Sequence, residues 1–380
     1  MTIEELRARI DRIDSDLIRL YAERLETAAE IGKYKQEHNL PVFDPARERE
    51  VLNKVWAEAG EANENGVRAL FSFLMAQSRT SQMLDRKQES ELGKLIRRSV
   101  EETPKLFPEK AKVACQGVEG AYSQQACEKM FRSPAITYCK TFGDVFSAIE
   151  SGECEYGVLP IENSLAGSVN SVYDKLLSRK CYIVRSARVK IDHTLMAAPG
   201  TRIGDIREIY SHEQAIQQCS RFLEAHSGWQ VNVCRNTAAA AKMIAESGRK
   251  DAAAISSAAC APLYGLEILE TDIQNNSNNH TRFICIAREP EIYPGADHTS
   301  LMLVLPNRPG SLYQLLGRFN AQGINLTKLE SRPMPGRDFE FMFYFDLDAS
   351  VYSPAFARLI EELDVTLEQF TYLGSYTELA

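Results

Sequence analysis

"TIEELRARIDRIDSDLIRLYAERLETAAEIGKYKQEH", residues 2–38, decides how the first quarter of the chain folds. Thr2 followed by Glu5 forms a capping box, and Leu6, Ile10, Ile13, Leu17 and Leu20 keep the three-four spacing of one buried helix face. No proline interrupts the run before Pro41, so the spacing predicts a single helix to about His38. Such a helix is about 50 Å long, too long to fold back within a small domain, and it is expected to pack against a second copy. Stepping on from Leu20 by threes and fours reaches Arg24, Thr27, Ile31 and Lys35, which puts two long cations in line with the core face. Charges on a solvated face need no explanation; these do. Arg24 and Lys35 lie about 16 Å apart along the axis and about 20° apart in phase, a gap that two long side chains and a ligand can close. Arg7 is roughly 25 Å before Arg24 and out of phase, so it can serve such a site only in a partner subunit.

The same oddity recurs further on. A second helix is expected from Asp44 as N-cap and Pro45 at its first position, and it opens with Asp44, Arg47 and Glu48. A third is expected from Val67 to about Arg97; its stripe of Val67, Phe71 and Leu74 runs on into Ser78 and Gln82. Buried cations ringed by hydrogen-bonding groups suit a small dianion. Ion pairs inside a helical bundle are the plainer alternative, since Arg47 and Glu48 can pair with each other.

The chain's 380 residues imply two to three domains. A formal net charge of -8 without any Lys/Arg-rich run argues against nucleic-acid binding, which needs a basic face for the phosphates. The nine cysteines are scattered and never spaced Cys-x-x-Cys, so neither a disulfide framework nor a metal site is expected. The N-terminus lacks an apolar signal region and no stretch reaches the roughly 18 apolar residues of a membrane span, which reads as cytoplasmic.

After the helical region (1–97) and a Pro-bearing charged linker (98–110), strand-like and helix-like segments alternate over 111–288, the pattern of an α/β sheet with parallel strands. Three turns stand out. "GVEGAYS" (117–123) sets two glycines and a hydroxyl before a helix, where an anion can sit, although a plain tight turn reads equally well. "LPIENSLAG" places Glu162, Asn163 and Ser164 at the C-terminal end of a strand, where α/β sheets bind ligands. "YSHEQAIQQC" places Ser211 and Gln218 around a helix start. An asparagine-rich loop (275–279) then leads through His280 into Thr281-Arg282-Phe283 and an apolar strand. From 298 to 380 the order is βαββαβ, a ferredoxin-like arrangement that includes a strand "FEFMFYFDL" at 339–347.

These residues carry resemblances. Leu6-Arg7, Ala22-Glu23-Arg24, Gly32-Lys33-Tyr34-Lys35, Asp44 through Arg47-Glu48, and Ser78 with Gln82 resemble the all-helical chorismate mutase family. That resemblance implies an interlocked helical dimer rearranging chorismate to prephenate. In it Arg7 of the partner chain, Arg24 and Arg47 hold carboxylates, while Lys35 and Gln82 donate to the ether oxygen. Glu48 accepts from the ring hydroxyl, with Ser78 and Asp44 assisting. A [3,3] rearrangement needs no nucleophile, only a folded substrate and stabilisation of developing charge. The neutral Gln82 removes any need for acidic pH.

The middle region resembles prephenate dehydratase, on the three turns and Thr281-Arg282-Phe283. This implies two α/β lobes, similar to periplasmic binding proteins, with prephenate in the cleft. Thr281 would donate to the departing hydroxyl; Asn163, Ser164, Ser211, Gln218, Arg282 and Phe283 would hold the substrate, with Glu162 orienting them. The last region resembles the ACT regulatory domain, through Gly310-Ser311-Leu312-Tyr313 and Glu330-Ser331-Arg332-Pro333, which implies L-phenylalanine as effector and side-by-side dimers. Ser311 and Tyr313 depart from the frequent Gly-Ala-Leu-Val. The expectation is therefore a multidomain, homodimeric or larger enzyme with two activities, feedback control and no cofactor or metal. A non-catalytic amino-acid-binding regulator and an enzyme with only one activity are the rivals.

Overall fold

In the computed structural model, residues 1–60, 62–84, 90–307, 309–334 and 341–380 are described, with the side chains of Met83 and Leu84 left aside. Helix α1 spans Ile3–Glu37, opened by the reciprocal Thr2–Glu5 capping box. Helix α2 spans Pro45–Ala59; the Asp44 carboxylate accepts from the backbone of Ala46 and Arg47. Helix α3 spans Glu64–Leu84, and α4 spans Glu91–Glu102. The expected single third helix is thus two. Residues 85–89 lie outside the described residues, and at Ser90 the side chain accepts from Gly93 N, which starts a new helix. The apolar side of α4, Leu92, Leu95, Ile96 and Val100, packs into the core of the C-terminal region.

Only Ala28 and Gly32 of α1 are buried. Leu6, Ile10, Ile13, Leu17 and Leu20, which the periodicity assigns to a buried face, stay exposed within one chain. At Gly32 the helices α1 and α3 come closest, for a Cβ there would stand 2.9 Å from the Cα of Gln82.

The middle region has two lobes. The first holds β1 (Lys112–Gln116), β2 (Ala135–Cys139), β3 (Tyr156–Asn163), β4 (Gly167–Ser168) and β5 (Tyr182–Lys190). The chain then crosses to a second lobe of β6 (Thr194–Ala197), β7 (Glu208–His212), β8 (Gln230–Cys234), β9 (Ala252–Ser256) and β10 (Glu267–Glu270), ordered β10-β6-β9-β7-β8. It returns as β11 (His280–Ala287), which inserts between β3 and β5, antiparallel to both. The sheets are therefore mixed and not parallel throughout as the alternation predicts: β11 runs against β3 and β5, and in the second lobe β6 runs against β9 and β10. Eight cysteines are buried, Cys234 is half-buried and none is paired; burial pushes the Cys181 and Cys219 thiols up to about 12.

The C-terminal region follows the expected βαββαβ order: β12 (His298–Val304), helix Ser311–Ala321, β13 (Asn325–Pro333), β14 (Phe341–Asp348), helix Pro354–Thr366 and β15 (Gln369–Tyr376). Its sheet order is β13-β14-β12-β15, all antiparallel. Phe339 and Glu340 of the expected strand lie outside the described residues. The chain then leaves this sheet: β16 (Glu378–Leu379) pairs in parallel with β5 and extends the sheet of the first lobe. Gly374, at φ 136°, permits the approach, since a Cβ there would meet the Ile183 carbonyl oxygen at 2.2 Å. Among the described residues no helix is long and apolar enough to cross a membrane.

Candidate active sites

Helices α1, α2 and α3 enclose a cavity of about 720 Å³. Its wall includes Arg24, Lys35, Asp44, Arg47, Glu48, Ser78 and Gln82, every expected residue of the helical site except Arg7, which is exposed and lies in the first two turns of α1. The helical pitch accounts for the convergence: Arg24 and Lys35 share a face of α1, and the close approach at Gly32 presses Gln82 of α3 against that face. Arg24 donates to the Leu74 carbonyl at 2.9 Å and to Ser78 Oγ at 2.5 Å, and burial lowers its pKa. Lys35 Nζ donates to the Val42 carbonyl at 2.7 Å.

The charges are unevenly matched. Arg79, which the sequence reading missed, lines the same wall; it pairs with Glu48 and lies over the Phe43 ring, 5.6 Å from its centroid. Its signal was available, because Arg79 follows Ser78 on the polar end of the α3 stripe. Arg47 turns outward to Glu50, 2.8 Å away. The Asp44 carboxylate is occupied in capping α2. Glu23 also lines the cavity but pairs with Arg19. Among the described residues, Arg24 and Lys35 have no ion-pair partner, and the buried Gln82 Oε1 has no hydrogen-bond partner. Two half-buried cations without counter-ions around one cavity suit an anion, and the unpartnered Gln82 Oε1, an acceptor, suits a hydroxyl on the same molecule.

A second cavity, of about 640 Å³, lies between the two lobes. Asn163 of β3 and Thr281 of β11 stand opposite each other in register, and Asn163 Nδ2 donates to Thr281 Oγ1 at 2.9 Å. The amide is fixed from its other end, where Oδ1 accepts from the backbone of Leu165 and Ala166 at 3.1 and 2.9 Å. Phe283 and Gln218 line the same space. Gln218 Oε1 lies 2.8 Å from His193 Nε2, and burial keeps His193 below the usual histidine range and hence neutral. Arg235 is a cation in the wall, and no carboxylate lines the cleft among the described residues. Gly117, Ala121, Tyr122 and Ser123 of the glycine turn form another part of its wall, and Ser257 and Tyr264 of the second lobe donate to the Gly120 and Glu119 carbonyls. His193 and Arg235 carried no local signal; only closure of the second lobe on the first brings them into place.

Four expected cleft residues lie elsewhere. Strand alternation turns Glu162 and Arg282 to the back of the sheet, since Asn163 and Thr281 face the cleft. Glu162 Oε1 accepts from Lys328 at 2.7 Å, and Arg282 is buried against Asp346 and Glu378. Ser164 accepts from His280 N at 3.0 Å and ties β3 to β11 outside the cleft. Ser211 is fully buried and donates to the Ile255 carbonyl at 2.7 Å, so its hydroxyl is occupied within the second sheet. Of the C-terminal motifs, Gly310 (φ 85°) opens the helix Ser311–Ala321, Leu312 packs on its core and Tyr313 is exposed. Glu330, Ser331, Arg332 and Pro333 lie on the edge strand β13, where Glu330 accepts from Ser168 Oγ at 2.8 Å and Arg332 pairs with Asp174 at 2.9 Å.

Residues 6–83 match the type II chorismate mutase family, and residues 113–291 match prephenate dehydratase. The bifunctional chorismate mutase/prephenate dehydratase of Escherichia coli K12 is 32% identical over 98% of this chain and 95% of its own length. The chain belongs to the bifunctional chorismate mutase/prephenate dehydratase family. Arogenate dehydratase 2 of Petunia hybrida is 39% identical over 70% of this chain and 71% of its own. Among solved structures, a prephenate dehydratase in complex with L-Phe from Arthrobacter aurescens aligns with TM-score 0.64 and 28% identity, covering 70% of this chain and 90% of its own. The two family matches fall on the two cavities: the first spans the helices around Arg24 and Lys35, the second both lobes around Thr281.

Proposed function

We propose that the helical cavity rearranges chorismate to prephenate and that the interlobe cleft converts prephenate to phenylpyruvate. Family membership supports both activities, and the observation that carries the first is the pair of unpaired cations, Arg24 and Lys35, facing one cavity beside Gln82. Substrate carboxylates would take up Arg24 and Arg47, while Lys35 and Gln82 donate to the ether oxygen as its bond to carbon lengthens and it gains charge. Glu48, held by Arg79, accepts from the ring hydroxyl and resists rotation of the folded substrate. The exposed stripe of Leu6, Ile10, Ile13, Leu17 and Leu20 supports a dimer in which a second α1 covers it and brings its own Arg7 to the cavity.

In the cleft, loss of carbon dioxide and of the ring hydroxyl is driven by aromatisation. Thr281 donates to the departing hydroxyl while accepting from Asn163, so its own proton is aimed away from that amide. Arg235 replaces Arg282 as the cation suited to a substrate carboxylate, and the absence of carboxylates from the wall among the described residues favours a dianion. The atoms of both reactions balance with one proton and no co-reactant. The C-terminal region serves as the L-phenylalanine sensor of the ACT type; its βαββαβ order and the L-Phe bound to the Arthrobacter aurescens relative support this. Chorismate, prephenate and phenylpyruvate followed over time test the assignment. Lys35→Ala should abolish the first step and leave the second, and Thr281→Ala should do the reverse. Loss of both steps in either folded variant refutes two separate sites.

A further inference from the structure

We propose that Arg282 and Glu162 are positioning residues of the dehydratase site, through which the C-terminal region grips the Thr281–Asn163 pair from behind. The inference rests on Thr281 and Asn163 acting in the cleft. In the β3–β11 register Thr281 faces Asn163 and Arg282 faces Glu162. Each strand thus sends one side chain into the cleft and the adjacent one to the back of the sheet, and consecutive Cα atoms are only about 3.8 Å apart.

Both rear side chains end on the C-terminal region. Arg282 donates to Asp346 of β14, to Glu378 of β16 at 2.5 Å and to the Tyr376 hydroxyl at 2.9 Å. The side chains of Arg282, Asp346 and Glu378 are 11%, 1% and 9% exposed, so the junction is largely buried, and Arg282 and Glu378 share with Glu162 and Lys328 the wall of a cavity of about 530 Å³. Ser300 completes the Asp346 carboxylate. On the neighbouring strand Lys328 Nζ reaches Glu162 Oε1 at 2.7 Å and Ser168 Oγ at 2.8 Å. Ser168 itself lines the cleft and donates to Glu330 at 2.8 Å. Apolar side chains would dock two regions at a smaller desolvation cost than these buried charges. What the charges add is direction: a shift of β13 or β14 is carried to Glu162 and Arg282, and through the backbone to the next residue of each strand. An effector that favours one placement of the C-terminal region then changes the Thr281–Asn163 geometry, provided its affinity differs between placements.

The test uses the full chain with Lys328→Gln, Lys328→Arg and Asp346→Asn. Dehydratase kcat and KM, mutase rate and L-phenylalanine binding by calorimetry are measured on each. Lys328→Gln is expected to lower dehydratase kcat about tenfold with KM within about twofold, as misplacement of a catalytic group does. Mutase rate should be unchanged, Lys328→Arg should restore most of the loss, and L-phenylalanine should still bind Lys328→Gln without altering its dehydratase rate. Unchanged kcat and an intact phenylalanine response in Lys328→Gln would overturn the proposal, as would equal losses in Lys328→Gln and Lys328→Arg. Should Asp346→Asn not fold, the two Lys328 variants decide alone. If L-phenylalanine does not bind the unaltered chain, the sensor reading fails while the kcat comparison still tests the grip; if Thr281→Ala keeps full dehydratase activity, the site assignment itself fails.

Discussion

Gly32→Ala offers a measurement with a built-in control. The new Cβ would stand 2.9 Å from Gln82 Cα and 3.1 Å from its Cβ and Cγ, where ordinary contacts lie at 3.4–4 Å. The nearest obstacle is backbone, so α1 and α3 must part by about 0.5–1 Å, an overpacking that costs about 1–3 kcal/mol. Alanine returns up to about 1 kcal/mol as the better helix former, leaving a net destabilisation of about 0–2 kcal/mol. Stability alone would therefore barely register. The mutase should respond far more, because the separation moves the Gln82 amide relative to Lys35, and about 1 Å of misplacement costs about 100-fold in rate. The dehydratase cleft lies on other elements and should keep its kcat within about twofold. Steady-state rates for chorismate and prephenate on the same preparation, with a thermal melt, check both. Mutase kcat within twofold of the unaltered chain would refute the claim that close packing at Gly32 sets the site.

Other outcomes follow from the same geometry. Arg79→Gln should lower mutase kcat/KM by about 10- to 100-fold, because it releases Glu48 from a charge-assisted bond worth about 1.5–3 kcal/mol; steady-state kinetics on chorismate read this directly. Asp346→Ala leaves Arg282 partly unpaired in a largely buried junction and should cost about 3–5 kcal/mol, visible in urea unfolding followed by an intrinsic probe of the C-terminal region. Burial pushes Glu378 up, yet Arg282, Arg188 and the Ser186 hydroxyl hold it below its ordinary 4.5. Its contribution is therefore fully present above pH about 4.5 and is lost as pH falls through the lower folded value, so the stability advantage of the unaltered chain over Glu378→Gln, read by urea unfolding across pH, must shrink as pH drops. Gly374→Ala should undock β15 from β5 and raise proteolytic nicking near 374–380, read by mass spectrometry.

Much of this was legible before any coordinates. The capping box and three-four stripe of α1 located the helix to within a residue or two, and the polar ends of the α1 and α3 stripes already marked the mutase cavity. In the cleft, Thr281 and Phe283 were legible as a pair, and strand alternation itself should have sent Arg282 to the other face. Ser211 could not be judged from its neighbours, because its burial depends on β7 lying between β8 and β9. His193 and Arg235 depend on how two lobes close, which no local pattern encodes. The break at Ser90 was misread because a helix interior and a helix start share the same apolar spacing, and only the serine cap distinguishes them.

The order of strands has a bearing on synthesis. The sheet of the first lobe takes strands from residue 112 onward, waits for β11 until the whole second lobe has been made, and receives β16 only at residues 378–379. The helices around the mutase cavity, contiguous in the first 84 residues, have no such delay. During translation the mutase helices can therefore form early, while the dehydratase sheet carries an open β5 edge until residues 378–379 have been made. Premature termination anywhere in the last region would yield a chain able to fold its helices and prone to associate through that edge.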